Sequence, residues 1–484
     1  IKQAIGKKTK AIVCTHGSNV TGDGNDIAQI GALCEKYNLY FILDASQTAG
    51  TIEIDMEQNH ISAICFTGHK GLFGPQGTGG IALADGVCVR PLLSGGSGVH
   101  SFERKHPMEL PAALEAGTLN GHGIAGLHAA LDWIKKSGIA AIHEKEKALA
   151  EQFQRGIETI PGIHLYGGEK RVAAIVSCNL ADLDSAYVSD CLAEDYGIAT
   201  RAGVHCAPLM HTHFGTEKQG MVRFSFSCFN TTEEVEKAVR AMQDIAAKNR
   251  GKVTAYVGAG GKTSSIRKRA ETLRAEGKRV LILTTTKMMV PQEQEIFAAY
   301  EQTGQESVIS ATVSVWQERR AAEKQLKERV QSVLDTYGCC VAGSLIPGTE
   351  KFGMLPEKLM EDLLYLADEI LIEADGSAHM PVKAPAEHEP VLFPYMDEVV
   401  IVMGAHAIGK PLQEVCHRAD YAKKILKCAA DKIVTAADLK TLAEQGYAIP
   451  IQKQYPWMKI SKVTGKDIKL CLTAEKKDKE RDKQ

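Results

Sequence analysis

The sequence has no apolar run approaching the roughly 18 residues that a membrane-spanning helix needs, so no transmembrane segment is expected. It has no strong charge of either sign: 57 Lys and Arg against 59 Asp and Glu leave a net charge of -2. Neither nucleic acid nor an anionic membrane is therefore expected as a bulk partner. It has no Cys-x-x-Cys pair, and its 13 cysteines are odd in number and irregularly spaced. Secreted disulfide frameworks are short, even-numbered and regular, so a reducing, cytoplasmic setting is the expectation. There are no internal repeats, and the two halves do not resemble each other. What is present is ordinary globular composition, 44% hydrophobic and 24% charged over 484 residues. That length suits two or three domains.

The first half alternates strand-like and helix-like runs. Strands are expected at 11–16 (AIVCTH), 39–46 (LYFILDAS) and 61–68 (ISAICFTG), with a helix over 27–37. Such alternation predicts a mostly parallel α/β sheet. From Ile124 the pattern turns helical, short strands follow near 173–179 and 221–227, and a last helix covers 232–247 with Thr231 as its N-cap. The chain opens on Ile1 rather than Met, and residues 10–14 already read as a strand in mid-domain, so a preceding segment is expected. KNRGK (248–252) reads as a polar linker, after which a new α/β pattern begins. EKKDKERDKQ at the end reads as a charged tail.

Three segments of the first half could carry chemistry. In TGHKG a lysine, Lys70, follows an apolar strand and is ringed by glycine, where it can approach a cofactor closely; a plain surface lysine is the alternative. In LDASQ, Asp44 ends an apolar strand, where a carboxylate can keep a pyridinium nitrogen protonated, or merely cap a helix. THGSNVTG offers His16, able to stack on a ring, and Asn19.

Together these motifs resemble the class-V aminotransferases of PLP fold type I, in particular the cysteine desulfurase and selenocysteine lyase branch. The resemblance covers about 11–247 and implies a role for each matching residue. Lys70 is then the lysine that holds pyridoxal 5'-phosphate, Asp44 the partner of its ring nitrogen, Gln47 the donor beside its ring hydroxyl and His16 the stacking histidine. Thr67 and His69 become phosphate contacts. EAGT (115–118) becomes the segment whose Thr118 completes the phosphate site of a neighbouring subunit, which implies a homodimer. RAGVHCAPLMH (201–211) resembles the loop of the nucleophilic cysteine, Cys206, with His205 beside it as a possible support for the thiolate. Arg223, in MVRFSFSCFNT, corresponds to the arginine that grips the substrate carboxylate, and Asn19 joins it in binding substrate. Two alternatives stay open for the loop: a metal site of Cys206, His205, His211 and His213, or a plain buried cysteine.

In the second half, VGAGGKTSS (257–265) follows a strand and opens a helix, as a phosphate-binding loop must. Gly258, Gly260 and Gly261 would present backbone N–H groups, Lys262 would neutralise phosphate, and Thr263 could bind Mg2+. The fit to GxxxxGK[ST] is imperfect, because Tyr256 stands where the first glycine belongs; a bare glycine turn is the alternative. ADEILIEADGSAHMP ends a strand in Glu373 and Asp375, where Asp375 is the expected carboxylate for Mg2+, and TTTK (284–287) ends another strand on the same expected sheet edge. With GAHAIGKPL (404–412) and His417–Arg418, these motifs resemble the YqeC family, accessory proteins of selenium-dependent molybdenum hydroxylases. Cys339–Cys340 could receive a chalcogen or be an ordinary buried pair.

The fold expected is therefore α/β: a PLP fold type I unit over 1–250, with part of its large domain and a C-terminal small domain, then a P-loop-like α/β domain over 251–470 and a tail over 471–484. The function implied is a cysteine desulfurase or selenocysteine lyase acting on L-cysteine or L-selenocysteine through a Cys206 persulfide. It would pass the chalcogen to an acceptor protein, assisted by a domain binding Mg-ATP or Mg-GTP. A class-V transaminase or lyase with a structural Cys206 is one alternative; a non-enzymatic nucleotide-dependent carrier is another.

Overall fold

A computed structural model describes residues 1–96, 98, 102–301, 313–429 and 431–465. The expected tail at 471–484 lies outside the described residues. The chain divides into two compact units, Ile1–Ile245 and Ala246–Gln484.

In the first unit, β1 (Ala11–Thr15), β2 (Tyr40–Asp44) and β3 (Ala63–Thr67) run parallel, and β4 (Gly79–Leu83) closes the sheet antiparallel to β3. The helix between β1 and β2, α1 (Ile27–Tyr37), starts where Asp26 accepts the Gln29 N–H at 2.9 Å and ends at Asn38 in the left-handed region. Ile30 and Cys34 of α1 bury against Phe41, Leu43, Ile61 and Ile64. This strand–helix–strand alternation puts the carboxyl ends of β1, β2 and β3 side by side, with Thr15 opposite Asp44 and Asp44 opposite Cys65. The two long helices α2 (Gly121–Ser137) and α3 (Ile139–Ile157) follow, then an antiparallel sheet of β5 (Ile163–Tyr166), β6 (Ile175–Leu180) and β7 (Val222–Ser225). Helices α4 (Ser185–Tyr196) and α5 (Pro208–Phe214) lie between β6 and β7 in sequence. A partly parallel sheet followed by a small antiparallel lobe is the architecture the resemblance implies.

Helix α6 (Thr232–Asn249) has the expected N-cap: the Thr231 hydroxyl accepts the Glu234 N–H at 3.2 Å, and the Glu234 carboxylate accepts the Thr231 N–H at 3.1 Å. The polar stretch after it is not the loose linker its composition suggests. Lys248 and Asn249 complete α6. Arg250 donates both guanidinium ends to Asp397 at 2.8 and 2.7 Å, a partner 147 residues away that no local reading could find.

The second unit is built on a nine-stranded sheet. In sequence its strands are β8 (Lys252–Gly258), β9 (Val280–Thr284), β10 (Lys287–Met289), β11 (Phe297–Tyr300), β12 (Cys339–Leu345), β13 (Lys351–Gly353), β14 (Glu369–Glu373), β16 (Glu398–Gly404) and β18 (Lys459–Gly465). β15 (Val382–Lys383) and β17 (Cys416–His417) form a small separate pair. The central order β12-β9-β14-β8-β16-β18 is wholly parallel. The inner strands β9, β14, β8 and β16 are buried along nearly their whole length, as parallel strands covered on both faces must be. The register sets Tyr256, Thr284 and Glu373 level, so the ends of β8, β9 and β14 share one edge, as TTTK and ADEILIEADGS led us to expect. Among the described residues no helix is long and apolar enough to cross a membrane.

Candidate functional sites

In the first unit the candidate residues come from the carboxyl ends of β1, β2 and β3, from the loop after β1, and from the lobe of β5–β7. His16, just past β1, is buried; its backbone N–H bonds the Asp44 carbonyl at 2.9 Å and its Nδ1 meets the Thr48 hydroxyl at 2.9 Å. Burial lowers its pKa, keeping the ring neutral. Asp44 ends β2 and accepts the Ser46 N–H at 2.9 Å; Gln47 follows, half-buried. The Thr67 hydroxyl and His69 Nδ1 are 2.8 Å apart.

Lys70, three residues past the end of β3, is exposed on the surface yet feels several of these groups. Partial burial lowers its amine pKa. Asp44 and Cys206 act against that shift, while Arg223 and Arg201 add to it. The field at one nitrogen thus joins groups up to 153 positions from it in sequence. An amine so depressed is easier to use as a nucleophile or base than an ordinary lysine.

The lobe brings the rest. A β-bridge pairs Arg201 with Arg223, N–H to carbonyl at 3.2 and 2.9 Å. The Asn19 carbonyl accepts Arg223 Nη1 at 3.0 Å, and the Asn19 side chain donates to the His205 carbonyl at 2.6 Å. Asn19, expected to touch substrate, therefore also fastens both the arginine and the cysteine loop. Arg223 Nε is buried without a hydrogen-bond partner, and burial lowers the pKa of its guanidinium. A half-satisfied buried guanidinium is suited to an incoming carboxylate.

Cys206 is exposed, and Arg201 Nη2 donates to its Sγ at 3.5 Å. The expected helper, His205, is turned away. Its Nε2 meets the Met221 carbonyl at 3.0 Å, and burial, with Arg223 beside it, pushes its pKa down to about 4. A neutral ring held elsewhere does not support a thiolate; the cation at Cys206 is Arg201. Sequence reading passed over that role because an arginine five residues away in a loop has no fixed direction until the loop folds. The metal alternative is not assembled: among the described residues, no group of three or more His, Cys, Asp or Glu could hold a metal ion. His211 instead pairs its Nδ1 with the Thr216 hydroxyl at 2.9 Å. Thr118 lies exposed on the surface segment EAGT.

In the second unit β8 runs into the glycine turn and α7 (Lys262–Ala275) follows. Gly258, Gly260 and Gly261 all have positive φ. A Cβ at Gly258 would strike the Val402 carbonyl at 2.2 Å, and one at Gly260 the Pro381 carbonyl at 2.4 Å, so the turn is packed tightly beneath. At Gly261, where φ is 132°, a Cβ would meet nothing within 4 Å, so that side is open. No side chain caps α7, which leaves its first-turn N–H groups for an anion. The Thr263 hydroxyl donates to Glu373 at 2.9 Å, and burial raises the pKa of that carboxyl.

Asp375 is not placed as expected. It has 0% exposure and lies under the turn, taking the Gly258 N–H and the Tyr447 hydroxyl, each at 3.0 Å, with Lys262 Nζ at 3.1 Å and Lys383 Nζ at 3.4 Å. Its Oδ2 is supplied with donors, while Oδ1 faces Lys262 without a hydrogen bond among the described residues; Glu373, on Thr263, is a second acid at this strand end. Cys339 and Cys340 are buried, and desolvation pushes their thiols up to about 11 and about 12, against any role as chalcogen carriers.

The chain matches the class-V aminotransferase family over residues 1–238 and the YqeC protein family over residues 254–420. Among curated relatives, a probable cysteine desulfurase of Methanothermobacter thermautotrophicus is 33% identical over 251 residues, 51% of this chain and 63% of the relative. A cysteine desulfurase of Escherichia coli is 31% identical over 244 residues, 49% and 59% of the two chains. The chain thus spans about 60% of the length of the curated relatives it matches. Two solved structures are similar at 28% identity: the apo cysteine desulfurase of Thermococcus onnurineus, with a TM-score of 0.43 over 49% of this chain and 60% of that one, and the cysteine desulfurase CsdA of Escherichia coli, with 0.46 over 51% and 61%.

Proposed function

We propose that the class-V unit is a pyridoxal-phosphate-dependent cysteine desulfurase or selenocysteine lyase. The observation that carries this reading is the polar cluster in which Asn19 holds both Arg223 and the His205 carbonyl while Arg201 donates to Cys206 Sγ, with Asp44, Arg201, Cys206 and Arg223 all acting electrostatically on Lys70. The donor set fits the cofactor: a depressed lysine amine to bind its aldehyde, a strand-end carboxylate for its ring nitrogen, a neutral buried histidine at His16 for its face, and hydroxyl and imidazole donors at Thr67 and His69 for its phosphate. Gln47 would reach the ring hydroxyl. When bound, the cofactor supplies an electron sink for the substrate carbon. Arg223, with Asn19, orients the substrate carboxylate. Lys70 takes the α-proton and later returns it to the α-carbon, while the β-carbon gains a proton equivalent to the one the Cys206 thiol gives up. The Cys206 thiolate attacks the substrate's sulfur or selenium; the S–S or S–Se bond forms as the bond to the β-carbon breaks, its electron pair staying on carbon. Alanine leaves and Cys206 carries the persulfide or selenopersulfide for an acceptor protein. Exposure of Cys206 supports such delivery.

We further propose a cytoplasmic homodimer, in which Thr118 serves a neighbour's cofactor phosphate; its exposure supports this. The second unit is proposed to bind Mg-ATP or Mg-GTP, with Gly258, Gly260, Gly261 and Lys262 at the phosphates and Thr263 with Glu373 at Mg2+, in the service of a selenium-dependent molybdenum hydroxylase. The uncapped start of α7 and the open side at Gly261 support that reading.

In the purified protein Lys70→Ala should lose both the visible absorbance of bound cofactor and sulfide or selenide release. Cys206→Ser should keep the absorbance and stop the release. Release that persists in Cys206→Ser would turn the reading to a class-V lyase or transaminase with a structural cysteine.

A further inference from the structure

The amine of Lys262 is committed elsewhere. It donates to the Gly258 carbonyl at 2.6 Å and faces Asp375 Oδ1 at 3.1 Å, with 4% of the residue exposed. To reach a phosphate on the open side of the turn it must give up both contacts. Were Asp375 then left alone at 0% exposure, the charge would be buried without a partner, and the move would be prohibitive.

It is not left alone. Asp375 Oδ2 takes the Gly258 N–H, the Tyr447 hydroxyl and the Lys383 ammonium. Lys383, itself 0% exposed, also donates to the Gly376 carbonyl at 2.5 Å and pairs with Glu389 at 2.8 Å, and Glu389 is bound by Arg418. Burial alone would raise the Glu389 carboxyl, but Arg418 and Lys383 outweigh it and hold the pKa down at about 2, so it stays ionised. With Lys262 in place, Lys262, Lys383 and Arg418 stand among Asp375, Glu389 and Glu373, whose carboxyl pKa burial raises. With Lys262 withdrawn, Lys383 and Arg418 still face Asp375 and Glu389.

We propose that Asp375 is a latch on Lys262 and Lys383 the counter-charge that lets it open, so that this pair sets the affinity of the glycine turn for phosphate. The inference rests on the nucleotide reading above and deepens it. The ligand must outbid a carboxylate already held at 3.1 Å from Lys262. A phosphodiester or carboxylate with a single negative charge does not; a metal-bound polyphosphate with free phosphoryl oxygens does. Asp375 and Lys383 act here as positioning residues, through Lys262.

The test uses the full chain and two readouts: acetic anhydride labelling of Lys262, followed by mass spectrometry, and calorimetric titration with Mg-pyrophosphate and Mg-ATP. Lys262 should label slowly in the wild type and roughly tenfold faster in Asp375→Asn, with Mg-pyrophosphate bound about tenfold more tightly. Lys383→Met should shift binding the other way, because Asp375 then keeps Lys262. Tyr447→Phe, which alters no charge, removes one donor from Asp375 and should weaken binding about fivefold, a measurement that survives if the charge variants fail to fold. Equal labelling of Lys262 in wild type and Asp375→Asn overturns the latch. So does a shift of the same sign in Asp375→Asn and Lys383→Met, or unchanged binding in Tyr447→Phe. If no form binds either polyphosphate, the nucleotide reading falls, and the labelling contrast still decides whether Asp375 restrains Lys262.

Discussion

His205 and Cys206 are consecutive non-glycine residues in the left-handed region, with φ of 51° and 59°. Each such residue costs about 1–2 kcal/mol, so the turn persists only because something holds it. The holder is His205: Nε2 donates to the Met221 carbonyl, and the Asn19 side chain clamps the His205 carbonyl. The donor role at Met221 requires the proton on Nε2 and leaves Nδ1 bare, and Nδ1 is buried with no hydrogen-bond partner. Protonation would place a cation there beside Arg223, which is why burial and that arginine push the pKa down to about 4 from the ordinary 6.5. The folded state thus binds fewer protons than the unfolded one. His205 contributes its stability in full above pH 6.5 and loses it as the pH falls toward 4. His205→Gln, which keeps a donor for Met221, should flatten the loss of urea resistance between those pH values. Sulfide release should be largely kept, because the Gln side chain still donates to Met221 and the Asn19 clamp is on the backbone carbonyl. An unchanged pH profile would remove His205 from that role.

Helix α3 shows what an element-level reading catches and what it misses. Its buried stripe runs Ile142, Glu146, Leu149, Ala150, Phe153 and Ile157, a 3.6-residue period with a carboxylate in it. The period was legible in the sequence; the carboxylate looks like one more charge in HEKEKALAEQ. Glu146 is 7% exposed and accepts the Cys228 N–H at 3.1 Å. Burial pushes its pKa up to about 7, and the N–H bond opposes this only in part. Here the folded state binds the extra proton, so the stability is present below the ordinary 4.5 and lost as the pH rises through 7, opposite in sign to His205. Glu146→Gln keeps the acceptor and removes the charge, and should stabilise the first unit at pH 8 by on the order of 1–3 kcal/mol. A melting temperature at pH 8 no higher than the wild type's would contradict this. The same limit recurs elsewhere. α1, the strand ends at Asp44 and Thr67, and the strand–glycine turn–helix at Lys262 were readable because local pattern fixes them. Arg201 at Cys206, Arg250 at Asp397, and Lys383 and Tyr447 at Asp375 were not, because each depends on a partner that only the folded chain supplies.

At the scale of the whole molecule, each unit has a core of its own. Leu43, Phe41, Ile61 and α1 form one cluster in the first unit, and Leu72, Ile134, Ile142 and Cys228 another. The clusters around the nine-stranded sheet draw wholly on residues of the second unit, from Val253 to Met458. Two cores of this kind should unfold as two cooperative transitions, each responding to the ligand its own unit binds. A ligand at about 100 times its dissociation constant stabilises the unit that binds it by about 2.7 kcal/mol. For units of this size that moves a transition by several degrees, roughly 2–4 °C per kcal/mol. In scanning calorimetry, pyridoxal phosphate should therefore raise one transition and Mg-ATP or Mg-GTP the other. Lys70→Ala should cancel only the first shift and Lys262→Ala only the second. A single transition moved by both ligands would mean that the two chemistries share one folding unit. A second transition indifferent to nucleotide, in a protein whose first still responds to cofactor, would leave the glycine turn before α7 as architecture and confine the catalytic proposal to residues 1–238.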